Sequence, residues 1–116
     1  RTGARVDQAS ASQKEMLASY RKTMQTAFRE VNDALVSLRE LASEETANIA
    51  QLESARRSLK LSQARYEAGY VGFLEVLDAQ RTTNLAELTY LNSRKNRLSA
   101  AVDLFKALGG GWREDA

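Results

Sequence analysis

The chain contains no cysteine, no histidine and no proline, and aromatic residues make up only 7% of it. Without cysteine there is no disulfide, no thiolate nucleophile and no zinc–sulfur site. Without histidine, imidazole acid–base chemistry and histidine metal ligation are excluded. Without proline, the residue that interrupts helices most sharply is missing along the whole length. Long apolar runs are absent as well, since none approaches the about 20 residues of a membrane-spanning helix. No charged-then-apolar leader opens the chain. It begins at Arg1 rather than Met, so it reads as a processed or excised segment, with any signal or membrane anchor expected outside it.

The 116 residues suit a single domain. Hydrophobic residues account for 43% and charged residues for 28%, the balance of a folded chain rather than a disordered one. Lys and Arg number 17 against 15 Asp and Glu, a net charge of +2. The two signs are interspersed without long runs, which describes a solvated helix face and not a nucleic-acid interface.

Glycine supplies the punctuation. The six glycines are Gly3, Gly69, Gly72 and Gly109 to Gly111, leaving two uninterrupted intervals rich in Ala, Leu, Arg, Glu, Lys and Gln. These are strong helix formers. In the first interval Leu17, Met24, Val31, Leu38, Leu52, Leu59 and Tyr66 recur every seven residues, with Glu45 as the one charged member of the series. Tyr20, Ala27, Ala34, Leu41 and Ala55 follow three residues later, and Phe28, Leu35, Ala42 and Ile49 four later. This is an apolar stripe of coiled-coil period, widened by a flanking row. In the second interval Leu77, Leu91, Leu98 and Phe105 share one register, broken by Asn84, and Leu74, Leu88 and Val102 share another, broken by Arg81 and Lys95.

The reading is all-α: a long antiparallel, coiled-coil-like hairpin with helices over about 5–68 and 73–108, about 96 and 54 Å long at 1.5 Å per residue. Gly69 is placed to take the left-handed cap of the first helix. Gly72 serves as a weak N-cap of the second, with Glu75 facing the positive helix end and Lys106 near the negative one. The short connection implies antiparallel neighbours. The second helix then covers the first only to its middle, and the stripe from Leu17 through Val31 has no partner. Two arrangements relieve this: cover by other chains, or a bend at Ser43-Glu44-Glu45-Thr46 that makes a three-helix bundle. The unbroken register across Glu45 favours the straight helix.

Three segments carry a resemblance. They are Ala27-Phe-Arg-Glu-Val-Asn-Asp-Ala-Leu35, the run from Tyr66 through Gly69, Leu74, Glu75 and Asp78 to Arg81, and the ending Leu104-Phe-Lys-Ala-Leu-Gly-Gly-Gly-Trp112. Their order and spacing resemble the outer-membrane efflux protein family of the TolC/OprM type, over essentially the whole chain. The Gly-Gly-Gly-Trp ending is most similar to the lipoprotein branch that works with resistance-nodulation-division pumps in multidrug resistance.

The resemblance implies a homotrimer whose strands share one outer-membrane barrel and whose helices form a periplasmic tunnel. Residues 1–116 would be one tunnel segment, the helical part of the second repeat, lying in the periplasm of a Gram-negative bacterium and lacking the barrel strands. A periplasmic adaptor protein and an inner-membrane pump are the implied partners, with small molecules as the exported cargo.

The resemblance also implies where a gate would lie. The helix ends near the turn would form the entrance that is closed at rest. Asp78 matches the family's acidic constriction residue, and Tyr66 a tyrosine that hydrogen-bonds across the gate. Arg81 is three residues beyond Asp78 on one helix face, placed to pair with Asp78 of its own or a neighbouring chain. Leu74, one turn before Asp78, would add an apolar ring. Some family members carry arginine two positions after the turn glycine, where this chain has Val71, so no salt bridge arises there. Gly69, Tyr70, Val71, Gly72 and Phe73 would make the tip on which the adaptor's helical hairpin docks.

Other readings weigh against this one. Glu75 with Asp78 is more simply a solvated face than an acid–base pair, so no enzyme activity is expected. Too few oxygen ligands converge for a magnesium or calcium site, and no cofactor is expected. A membrane-surface helix would need a cationic face, whereas the polar faces carry mixed charge. The alternative from another class is a coiled-coil scaffold or adaptor module that only binds other helices, which has no need of the tip signature. Taken alone, the chain is expected to self-associate through Leu17, Tyr20, Met24, Phe28 and Val31.

Overall fold

The computed structural model describes the backbone of residues 2–113 and the side chains of residues 8–109. Two helices form it: α1, Thr2–Glu67, and α2, Phe73–Arg113. The molecule measures 101 × 24 × 15 Å. A straight helix of 66 residues is about 99 Å long at 1.5 Å per residue, so α1 alone sets the length.

The bend considered at Ser43–Thr46 does not occur, and with it the three-helix alternative falls. α1 runs through this stretch without a break. Thr46 Oγ1 donates to the Ala42 carbonyl at 3.0 Å, so the hydroxyl is satisfied inside the helix instead of competing with it. The expected stop of the second helix at residue 108 is also corrected, because α2 continues through the three glycines to Arg113. Glycine in a helix is unfavourable by about 1 kcal/mol against alanine, but it raises no steric bar as proline does. Lys106 therefore lies inside the helix rather than at its end. The side chain of Trp112 is outside the described side chains.

α2 folds back antiparallel on α1. Thr83 sits opposite Ala55, and Arg97, further along α2, meets Glu45, further back along α1. On α1 the covered positions include Val31, Ala34, Leu38, Leu41, Glu45, Asn48, Leu52, Ala55, Leu59 and Ser62, with Ala42 beside Leu41 also partly covered. Apart from Ala42 they alternate in steps of three and four, the signature of a coiled-coil seam. The seven-residue register read from the sequence is thus the packing register of α1. Its earlier members Leu17 and Met24 are exposed, because α2 ends before reaching them.

On α2 the packing differs from the expected leucine registers. The covered positions include Val76, Ala79, Thr83, Ala86, Tyr90, Ser93, Arg97, Ala100 and Leu104, with Ala101 and Gly109 partly covered as well. Leu74, Leu77, Leu88, Leu91, Leu98, Val102 and Phe105 are all exposed and lie away from α1. The reason is steric. Small residues let two helix backbones approach closely, and that geometry is seen where the Thr83 hydroxyl reaches the Ala55 carbonyl across the seam. A leucine at each α2 position would hold the helices further apart. Among the described residues the buried side chains are Leu52, Val76, Thr83, Ala86 and Ser93, a thin core in which two of five are polar. The large apolar groups therefore line the outside of the hairpin, where burying each is worth about 1.5–3 kcal/mol to a neighbour.

Candidate gate and docking tip

The turn is built by backbone chemistry that the sequence specifies. Gly69 has φ of +82°, a left-handed conformation costly for any residue with a Cβ. The Gly69 N–H donates to the Tyr66 carbonyl at 2.9 Å, and the Tyr70 N–H to the Arg65 carbonyl at 2.9 Å. This pair of bonds is the Schellman motif, which satisfies carbonyls that the last helical turn leaves open. Gly72 performs the expected N-cap role through its backbone, its carbonyl accepting from the Glu75 N–H at 3.3 Å.

Two side-chain contacts then tie the ends of the helices together. The Tyr66 and Phe73 rings lie with centroids 5.3 Å apart at an interplanar angle of 57°, a tilted arrangement favourable to aromatic quadrupoles. Arg65 Nη1 is 3.7 Å from Glu75 Oε1, with both side chains about half exposed. At that exposure the ion pair contributes about 0–1 kcal/mol. Sequence reasoning missed both contacts. Each joins the last turn of α1 to the first turn of α2, so the assigned turn boundaries together with residue type were the available signal.

The candidate residues divide into two groups. Leu74, Asp78 and Arg81 follow one another at intervals of about one turn along α2, on the face directed away from α1, and all three are exposed. Leu74 is 73% exposed. Among the described residues the ion pairs are Arg65–Glu75 and Glu45–Arg97, so Asp78 and Arg81 do not pair with each other within the chain. Tyr66 belongs to the other group, its ring against Phe73, and its hydroxyl enters no side-chain hydrogen bond among the described residues. At the tip Tyr70 is the most exposed of the large hydrophobic side chains, at 80%, with Gly69 and Gly72 beside it. Phe73 is half committed to Tyr66, and Val71 is half-buried.

Among the described residues no group of three acidic side chains is placed to hold a metal ion, and no helix is long and apolar enough to cross a membrane. The geometry is a long helical hairpin with a thin inner seam, a leucine-rich outer face, and two exposed charged residues, Asp78 and Arg81, near the turn. The sequence profile described as "Outer membrane efflux protein" matches residues 1–110, and the chain belongs to that family.

Its similarity to individual members is consistent along the chain. It is 46% identical over 114 residues to the outer membrane protein OprJ of Pseudomonas aeruginosa, covering 98% of this chain and 24% of that protein. The pyoverdine export outer membrane protein OpmQ of the same species is 41% identical over 109 residues, covering 94% and 23%. The cation efflux system protein CusC of Escherichia coli O157:H7 is 35% identical over 114 residues, covering 98% and 25%. A crystal structure of a membrane protein from Pseudomonas aeruginosa superposes with a TM-score of 0.65 at 46% identity, over 87% of this chain and 23% of that one. The chain therefore spans about a quarter of the length of the curated relatives it matches.

Proposed function

We propose that this hairpin is a segment of the periplasmic tunnel and entrance gate of a trimeric outer-membrane efflux channel, exporting small molecules with a periplasmic adaptor and an inner-membrane pump. Membership of the efflux family supports the transport reading over a bare coiled-coil scaffold, and it supports a passive wall rather than an enzyme. The observation that carries the gate is the row Leu74, Asp78 and Arg81 on the free face of α2, immediately beside the turn. In this arrangement Asp78 and Arg81 are available to neighbouring chains, since neither enters an ion pair among the described residues. Three copies around an axis would set an apolar ring beside a ring of mixed charge. Ion pairs near a wet surface are worth about 0–1 kcal/mol each, so a docking partner could release such a latch by splaying the helix ends.

Tyr66 takes a different place in this reading. Its contact with Phe73 makes it a brace for the turn, and its hydroxyl remains available to a neighbour across the entrance. Tyr70, Gly69, Val71, Gly72 and Phe73 form the surface offered to the adaptor. The outer leucine face would meet the adjacent wall helices. In an isolated chain, Leu17, Tyr20, Met24, Phe28 and Val31 would promote self-association.

Single-channel conductance in planar bilayers tests the gate directly. The full-length channel is compared with its Asp78→Ala and Arg81→Ala variants. A clear rise in conductance or open probability in either variant is expected. Unchanged currents in both, with trimers inserted normally, would remove these residues from the gate.

A further inference from the structure

The seam between α1 and α2 contains one charge on each side. From Leu17 to Ser62 the seam positions of α1 are apolar or uncharged except Glu45, and from Val76 to Leu104 those of α2 are uncharged except Arg97. These two residues meet: Arg97 Nε donates to Glu45 Oε2. Their side chains are 33% and 16% exposed, so the pair is largely withdrawn from water.

This placement bears on a choice that the rest of the seam leaves open. The stripe of α1 extends upstream through Met24 and Tyr20 to Leu17 in the same seven-residue register, beyond the stretch that α2 covers. The turn at Gly69 holds α2 to the downstream stretch of its own α1. If the hairpin of another copy opens, its α2 is released from that restriction, and the upstream heptads offer it an equivalent apolar surface. A shift of one heptad would bring Arg97 near Leu38 and leave both charges in the seam without partners. A withdrawn charge without a partner is strongly unfavourable, whereas two hydrophobic residues in place of a buried pair are often neutral or stabilising. A single polar seam position specifies register and partner in coiled coils by the same logic.

We propose that Glu45 and Arg97 act as an address on the seam: they confine α2 to one stretch of α1, in the same chain, and keep the stripe from Leu17 to Ala27 uncovered. This inference does not depend on the gate reading, since it concerns the inner seam and not the outer face.

The test is a ladder of cysteine pairs in residues 1–116, which contain no cysteine. Thr83→Cys is combined in turn with Ala55→Cys, Asn48→Cys, Leu41→Cys and Ala34→Cys. The first pair reports the observed register. The others report shifts of one, two and three heptads, each step moving the thiols about 10 Å apart along the axis, beyond disulfide reach. Mild oxidation and a non-reducing gel separate cross-links within a chain from those between chains. The parent chain is expected to cross-link at position 55 alone. The Glu45→Leu/Arg97→Leu variant should keep its helical circular dichroism and gain cross-links between chains at 48, 41 or 34, rising from background to yields comparable with that at 55. The swapped variant, Glu45→Arg/Arg97→Glu, should return to position 55 alone. A leucine variant that still cross-links only at 55 would overturn the proposal. So would its loss of helix, which would make the pair a requirement for folding rather than a selector of register.

Discussion

The Thr83 hydroxyl lies 2.8 Å from the Ala79 carbonyl on its own helix and 3.2 Å from the Ala55 carbonyl on the other. One hydrogen is shared between an acceptor within α2 and one across the seam. A side chain as short as threonine reaches a carbonyl of the opposing helix only where the two backbones run close together. The small residues Ala79 and Ala86, one turn to either side, permit that approach.

Replacing Thr83 by valine keeps the shape and removes the shared hydrogen. Loss of one partly buried hydrogen bond is expected to destabilise the hairpin by about 1 kcal/mol. Thermal or urea unfolding followed by circular dichroism measures this. An unchanged midpoint would mean that the bond across the seam contributes nothing.

The seam assignment on α2 makes a second prediction with opposite signs for two nearby residues. Ala86 is buried against α1, and Leu88 is 63% exposed on the outer face. Ala86→Leu should force the helices apart and lower stability by about 1–3 kcal/mol. Leu88→Ala in the isolated chain should stay within about 0.5 kcal/mol of the parent. A reversed order in the same unfolding experiment would place α1 on the leucine side of α2.

The turn provides a third comparison. Gly69→Ala forces a Cβ into a left-handed conformation and should lose about 1–2 kcal/mol. The loss is conformational, since a Cβ at this position meets nothing within 4 Å. Gly72 has equal space around it and no positive φ, so Gly72→Ala should change stability far less. Equal losses at the two glycines would contradict the cap.

The two helices, their turn and the α1 register were all legible in the sequence, and for physical reasons. Glycine spacing marks where the chain reverses most easily, and the steps from Val31 to Leu59 record which side of α1 is covered. The α2 seam was not legible by the same rule. Leu77, Leu91 and Leu98 form a more hydrophobic row than Ala79, Ala86 and Ala100, yet the smaller row faces α1. Hydrophobic periodicity reports the faces that are to be covered but does not say by which neighbour, and α2 presents more than one such face. Asp78 and Arg81 lie on one exposed face of α2, but proximity in sequence produces no ion pair between them among the described residues. Glu45 stood out as a lone charge in an apolar register. Its partner Arg97 is hidden in the sequence because it belongs to the alanine–serine row, which is less hydrophobic than the leucine rows of α2.

The Glu45–Arg97 layer is also a point of leverage. From Glu45 to the end of α1 at Glu67 is about 33 Å at 1.5 Å per residue. Pivoting the lower arm by about 5° at this layer would displace the turn sideways by about 3 Å, comparable to one water diameter, on a helix of this rise. A small angular change at this layer is therefore geared up, by length alone, into a sideways displacement of Tyr70.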